Sequence, residues 1–202
     1  MTTFYLVRHG ETVWNKEHRL QGWLDSPLSE NGILHAQKLG EQLKNIPFTA
    51  AYSSTSGRAK ETLHYLTVGR KLAIHYKDDL REIFLGNWQG KTVEDIMVSN
   101  RFDYELYTHY PAQFVATHTE SFGEVTERAM YTLKNIAQRY PHEHILIVSH
   151  GVTIKCMINA ILERGIDQLW TAPHIEGTSV TIVERTEESW HVKVIGSTQH
   201  LQ

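Results

Sequence analysis

Apolar positions along the chain fall into two rhythms. Residues 4–7 (FYLV), 50–53 (AAYS) and 145–148 (ILIV) are short and continuously apolar, as strands are when helices cover both faces of their sheet. Between them the period lengthens to threes and fours: Ile33, Ala36, Leu39 and Leu43 share one helical face, and Phe122, Val125, Ala129, Leu133, Ile136 and Tyr140 share another. Ser29 stands where the first helix needs a cap, and Pro141 closes the second. A third helical segment, 152–162, follows ILIV directly, and the stretches GTSVTIVER (177–185) and WHVKVIGS (190–197) read as two strands joined by a short polar turn. The pattern predicts an α/β protein, a three-layer α/β/α sandwich whose mostly parallel central sheet carries a late antiparallel hairpin at its edge. Residues 100–119 are the one weakly patterned stretch and form a candidate lid. There is no internal repeat or low-complexity segment.

The 202 residues suit one domain spanning 1–202, large enough to bury about 70% of the surface its unfolded chain exposes. A net charge of −3 argues against an electrostatic nucleic-acid binder, although a pocket for a small anion would not show in that total. Cys156 is the only cysteine, which excludes an intrachain disulfide and a multi-cysteine metal site and fits a reducing compartment. No signal peptide precedes the first strand and no apolar run reaches membrane-spanning length, so the expected location is the cytoplasm, with no membrane partner.

Two of the buried strands end alike. The first runs into Arg8-His9-Gly10 and the later one into Ser149-His150-Gly151. In α/β sheets, ligands gather beyond the carboxyl ends of strands, where helix N-termini present free N–H groups. Glycine after each histidine permits a sharp turn and lets backbone N–H groups approach an oxyanion.

Five strings widen the signal: LVRHGETVWN (6–15), RLQGWLDSPLSENG (19–32), SSTSGRAKET (53–62), LREIFLGNWQG (80–90) and IVSHG (147–151). In this order they resemble the histidine phosphatase superfamily, with its phosphoglycerate-mutase-like fold, and GTSVTIVE (177–184) resembles the tail of its bacterial broad-specificity phosphatases. The resemblance implies that His9 is the nucleophile and forms a phosphohistidine, that Arg8 and Arg58 grip the phosphoryl oxygens, and that His150 donates a hydrogen bond to the group in flight. It places Asn15, Gln21 and the backbone at Gly22 and Gly151 as further donors, and makes Glu82 the acid that protonates the leaving oxygen and then the base that activates water.

Chemistry agrees with these roles. A phosphate monoester carries nearly two negative charges, so its site must neutralise charge and supply a nucleophile. Flanking cations disfavour imidazolium and keep a histidine nucleophilic. Arginine forks pair two-pronged with phosphoryl oxygens, each charged bond contributing about 1.5–3 kcal/mol. A carboxyl beside a bound dianion, shielded by Ile83, Phe84 and Trp88, is expected to hold a proton for the leaving group.

Other chemistries lack their residues. There is no H-E-x-x-H, and HEH at 142–144 reads as a polar turn. Arg164 lies eight positions after Cys156, too far for the anion loop of a cysteine phosphatase, so Cys156 reads as a small buried hydrophobe. No phosphate-binding P-loop or dinucleotide fingerprint is present. Metal and cofactor are therefore expected to be absent. Mutases of the family carry a longer insertion and paired arginines after the glutamate. Here residues 102–123 contain no Lys or Arg but hold Phe102, Tyr104, Tyr107, Tyr110, Phe114 and Phe122, a cover suited to apolar or aryl leaving groups. The expectation is a metal-independent phosphomonoesterase acting on a small-molecule phosphate monoester. Its alternatives are a phosphoglycerate mutase, a narrow phosphatase such as a ribazole phosphate phosphatase, and a non-catalytic phosphoprotein-binding module. Oligomeric state is left open.

Overall fold

The three continuously apolar runs form the middle of a six-stranded sheet. In the computed structural model, which describes residues 1–171 and 173–202, the strands are β1 (Thr2–Arg8), β2 (Phe48–Ser54), β3 (Ala73–Lys77), β4 (His144–Ser149), β5 (Val180–Arg185) and β6 (Trp190–Ser197), in the order β3-β2-β4-β1-β5-β6. β1 pairs parallel with β4, β4 with β2 and β2 with β3, whereas β5 runs antiparallel to β1 and β6 antiparallel to β5. The register Val7↔Val148 and Arg8↔Ser149 brings the two histidine-bearing strand ends side by side.

The helices are α1 (Val13–Lys16), α2 (Glu30–Gln42), α3 (Gly57–Thr67), α4 (Val93–Ser99), α5 (Arg101–His109), α6 (Phe122–Arg139) and α7 (Gly151–Ile161). Alternation along β1 and β4 sends Phe4, Leu6, Ile145 and Ile147 to one face, where Leu133 and Ile136 of α6 and Met157 and Ile161 of α7 cover them. Tyr5, Val7, Leu146 and Val148 point to the other, under Leu39 of α2 and Leu63 and Leu66 of α3. This is the expected three-layer sandwich, each fully buried aliphatic side chain contributing about 1.5–3 kcal/mol. Ser29 caps α2 by accepting from Gly32 N–H (3.0 Å), and α6 stops at Tyr140, just before Pro141.

Two elements depart from the sequence pattern. β3 is an edge strand with exposed Ile74 and Tyr76, so it lacks the apolar continuity that marks its neighbours. Within 100–119, α5 is a regular helix whose Tyr107 plugs a third apolar cluster with Trp88, Phe122 and Leu169. Of the six aromatics, Tyr107 and Phe122 are core, Tyr104 and Phe114 pack against it, and Phe102 and Tyr110 are exposed.

Candidate active site

At the carboxyl ends of β1 and β4 lies a cavity of about 300 Å³ whose walls include Arg8, His9, Asn15, Gln21, Gly22, Arg58, Glu82 and Gly151. A somewhat larger hollow, about 390 Å³, sits against Met1, Thr2 and His142 and contains none of these residues.

His9 leaves the end of β1 with its backbone N–H on Ser149 O (3.0 Å). Its Nδ1 lies 2.8 Å from Gly10 O, and a carbonyl can only accept, so Nδ1 carries the proton and Nε2 the lone pair. Arg58 Nε donates to that lone pair (3.2 Å). Burial, reinforced by the Arg58 and Arg8 guanidinium groups, holds the His9 pKa well below the ordinary histidine value. The imidazole is neutral, with its lone-pair nitrogen turned to the guanidinium.

Arg58 enters near the start of α3, and its side chain is 1% exposed. All five of its donors are engaged: Nε on His9, Nη1 on Leu24 O (2.8 Å) and Asp25 Oδ1 (2.9 Å), Nη2 on Gly22 O (2.9 Å) and His150 Nδ1 (3.1 Å). Asp25 also accepts from the Arg58 backbone N–H (3.3 Å). Nothing in the sequence marks Asp25; a lone Asp in a turn is one of the commonest surface features, and only the fold brings it to α3. Gly22 is held at φ +53, and a Cβ there would stand 2.4 Å from Gln89 Oε1, so this turn requires glycine.

His150, at the N-cap of α7, is fully buried behind His9 and Arg58, its ring centroid 5.1 Å from that of His9. Because Arg58 donates to Nδ1, the proton sits on Nε2, which donates to Ser54 Oγ (2.8 Å). Burial, then the charges of Arg58 and neighbouring groups, keeps its pKa well below the ordinary value. In this arrangement His150 accepts from the arginine, and its side chain is not among those lining the cavity. A donor role toward phosphate requires Arg58 to release Nδ1 and that nitrogen to take up a proton.

Arg8 Nη1 is anchored on Ile175 O (2.7 Å), while its Nε is buried without a partner, a donor uncommitted in the wall of the pocket. Asn15 Oδ1 closes the capping box of α1 by accepting from Thr12 N–H (3.0 Å). Gln21 Nε2 donates to Thr12 Oγ1 (2.8 Å) and its Oε1 is buried unpaired. Exchanging the two ends of that amide would let the oxygen accept from the Thr12 hydroxyl only if that hydroxyl gave up its bond to Asn15 Oδ1 (3.0 Å), and would free an NH₂ group. Gly10 differs from expectation. Its N–H is committed to Thr62 Oγ1 (2.9 Å), and a Cβ on it would stand 2.8 Å from Gly32 O. Close packing against the first turn of α2, rather than anion contact, explains that glycine.

Glu82 lies in the loop after a 3₁₀ turn, Asp78–Leu80. Its carboxyl accepts from the N–H groups of Val152 (3.1 Å), Thr153 (3.2 Å) and Ile83 (3.0 Å) and from Thr153 Oγ1 (3.2 Å). It is seated on the first turn of α7, immediately after His150, where N–H groups lack helical partners. The expected aromatic shield is different: Trp88 packs with Tyr104 and Tyr107, and Phe84 against Trp23. Tyr107 faces the cavity, its phenol held well above the ordinary value by burial and by the Glu82 charge. Leu20, Ile83, Leu85, Val152, Trp170 and Ile175 complete the apolar wall.

Two cations also reach the wall from outside the 102–123 segment. Arg19 is tied to Glu17 (2.6 Å) and Gly90 O (2.9 Å), and Lys155 to the carbonyls of Thr171 and Pro173. Cys156 is buried in α7 and its thiol is pushed up to about 12 by burial, which matches its reading as a small hydrophobe. Among the described residues, no group of three or more His, Cys, Asp and Glu side chains is placed to hold a metal ion, and no helix is long and apolar enough to cross a membrane.

An α/β/α sandwich with two histidines, two arginines and a helix-seated glutamate at adjoining parallel strand ends defines a class of phosphoryl enzymes. The family model of the histidine phosphatase superfamily (branch 1) matches residues 4–198, and the chain belongs to that superfamily as a phosphatase- or mutase-like enzyme. The solved structure of Bacillus stearothermophilus YhfR superposes with a TM-score of 0.98 at 41% identity, covering 100% of both chains. A phosphatase of Bacillus subtilis, PhoE, itself described as uncharacterized, is 31% identical over 100% of this chain and 97% of its own length. Phosphoserine phosphatase 1 of Hydrogenobacter thermophilus is 28% identical over 100% of this chain and 95% of its own.

Proposed function

We propose that the protein is a metal-independent phosphomonoesterase working through a phosphohistidine on His9. The observation that carries this is the tautomer of His9: Nδ1 is bound to the Gly10 carbonyl, so the lone pair of Nε2 faces the buried Arg58 guanidinium. A substrate phosphate entering the cavity replaces protein acceptors on Arg58 and meets the free Nε of Arg8. His9 Nε2 attacks phosphorus, an N–P bond forms, and the P–O bond to the leaving group breaks as Glu82 protonates that oxygen. Water then attacks the phosphohistidine while Glu82 takes its proton, and the N–P bond breaks to release inorganic phosphate. His150 Nδ1, released by Arg58, takes up a proton together with the dianion and in that protonated form donates to the equatorial oxygens. Asn15, Gln21 and the Gly22 and Gly151 backbone complete the cradle.

The leaving group would lie against Tyr107, Leu20, Leu85, Val152 and Trp170, which favours esters of moderately hydrophobic or aryl alcohols. Residues 1–202 act as one catalytic unit, with 100–119 as a cover contributing Tyr107, and cytoplasmic residence accords with the single thiol. Arg19 and Lys155 on the wall favour a second reading, an ester whose alcohol carries a carboxylate, as in a phosphoglycerate mutase. Both cations already hold protein acceptors, which weighs for the first. Incubation with an aryl phosphate in EDTA tests the proposal: phosphate release is expected, and no release refutes it. A coupled assay for phosphoglycerate interconversion reads the second directly.

A further inference from the structure

Glu82 sits on a loop that is held from the site by Ser149 and Thr153 and gripped from outside the cavity by an arginine. Arg128 of α6 directs all five of its guanidinium donors at this region. Nη1 reaches Asp79 O (2.8 Å) and Arg81 O (2.7 Å), Nη2 reaches Glu82 O (3.1 Å) and Glu120 Oε2 (2.9 Å), and Nε reaches Glu120 Oε1 (2.8 Å). Glu120 in turn accepts from Phe84 N–H (2.8 Å) and donates its own N–H to Phe84 O (2.8 Å). The Arg128 and Glu120 side chains are only 16% and 18% exposed. The Glu82 carbonyl also accepts from Trp23 Nε1 (2.9 Å). Neither Arg128 nor Glu120 lines the cavity.

We infer that Arg128, paired with Glu120, is a positioning residue for the general acid, fixing the backbone of residues 79–84 so that the Glu82 carboxyl stands over the leaving oxygen. The inference rests on the reading of Glu82 as proton donor. No donor of this arginine is spent on holding α6 to the sheet; every one ends on the acid's loop or on the carboxylate that clasps the same loop. Only a planar five-donor fork can span the carbonyls of Asp79, Arg81 and Glu82 and a two-pronged carboxylate at once. Without it, Glu82 keeps its contacts to α7, and the loop keeps Trp23 on Glu82 O, Ser149 Oγ on Leu80 O (2.8 Å) and Thr153 Oγ1 on Arg81 O (2.7 Å). Three of its carbonyl bonds and the clasp of Glu120 are lost, however, and a misplacement of about 1 Å costs on the order of 10²-fold in rate.

Leaving-group dependence distinguishes positioning from general support of the fold. A nitrophenolate departs with little help, whereas an alkoxide needs the proton. For Arg128→Ala, kcat/KM toward an alkyl phosphate should fall about 10²-fold and toward nitrophenyl phosphate under about fivefold, since general acid catalysis contributes at least this much for poor leaving groups. Added guanidinium ion should restore the alkyl activity, and Arg128→Lys should show the same split in smaller measure should the alanine variant fold poorly. Equal losses on both esters, or no loss, overturn the inference. Glu82→Gln measured alongside separates the two ideas. An even loss there removes the acid and this inference with it, whereas a split there with an even loss in Arg128→Ala overturns the role of Arg128 alone.

Discussion

Replacing Arg58 with methionine keeps most of the side-chain volume and removes the charge and all five donors. The carbonyl of Gly22 and Nδ1 of His150 are buried and lose their partner, at about 1–3 kcal/mol each if water cannot reach them. Asp25, whose side chain is 38% exposed, rehydrates at small cost. In the reaction the loss is larger, because a donor preorganised for transition-state charge is worth about 10² to 10³ in kcat, or roughly 2.7–4 kcal/mol. The variant should therefore fold with a lowered urea midpoint and lose two to three orders of magnitude in turnover. Its pH profile should move as well. Arg58 is, after burial, the largest influence holding the His9 pKa down, and attack needs the neutral ring, so losing the charge shifts the acid limb of kcat/KM to higher pH. Wild type and variant measured on one aryl ester share the substrate's own ionisation, which cancels in the comparison. A loss under tenfold together with an unmoved acid limb would refute the placing of Arg58 on both phosphate and His9.

Stability should fall as pH drops below about 6.5. His9 and His150 have folded pKa values held well below the unfolded one, and His200 is brought down to about 4 by burial and nearby cations. The unfolded chain then binds more protons, and each such histidine costs up to about 1.4 kcal/mol per pH unit below the unfolded value. Urea titrations at pH 7 and pH 5 should show the drop, smaller in His150→Asn; a midpoint independent of pH would contradict the neutral buried pair. Tyr107→Ala should raise KM for aryl esters several-fold more than for a short alkyl ester. Equal changes would take Tyr107 off the leaving-group wall.

What the sequence disclosed follows from how each feature is stabilised. β1, β2 and β4 were legible because helices bury both faces, which demands unbroken apolar runs. β3 needs only one partner and tolerates His75, Tyr76 and Lys77, so no such run marks it. α5 holds its place through Tyr107 more than through a full apolar stripe. In the site, the roles proposed for His9, Arg58, Glu82 and His150 restrict residue type, and motif order exposed them. Asp25, Ser54, Thr62, Thr153, Glu120 and Arg128 act by orienting those groups, through contacts between residues far apart in the chain. Their types are ordinary at surfaces and caps, and only tertiary packing gives them partners. The setting of Glu82 is hidden from the sequence for the same reason: Phe84 and Trp88 stand near it in the chain, but its carboxyl meets N–H groups of α7 in space.

The most direct measurement is to mix enzyme with a phosphate ester, quench in alkali within the first turnovers, and locate any bound phosphoryl group by mass spectrometry. One acid-labile phosphoryl group is expected on the imidazole of His9, absent in His9→Ala together with turnover. A phosphoryl group on any other residue, or full turnover in His9→Ala, would contradict it.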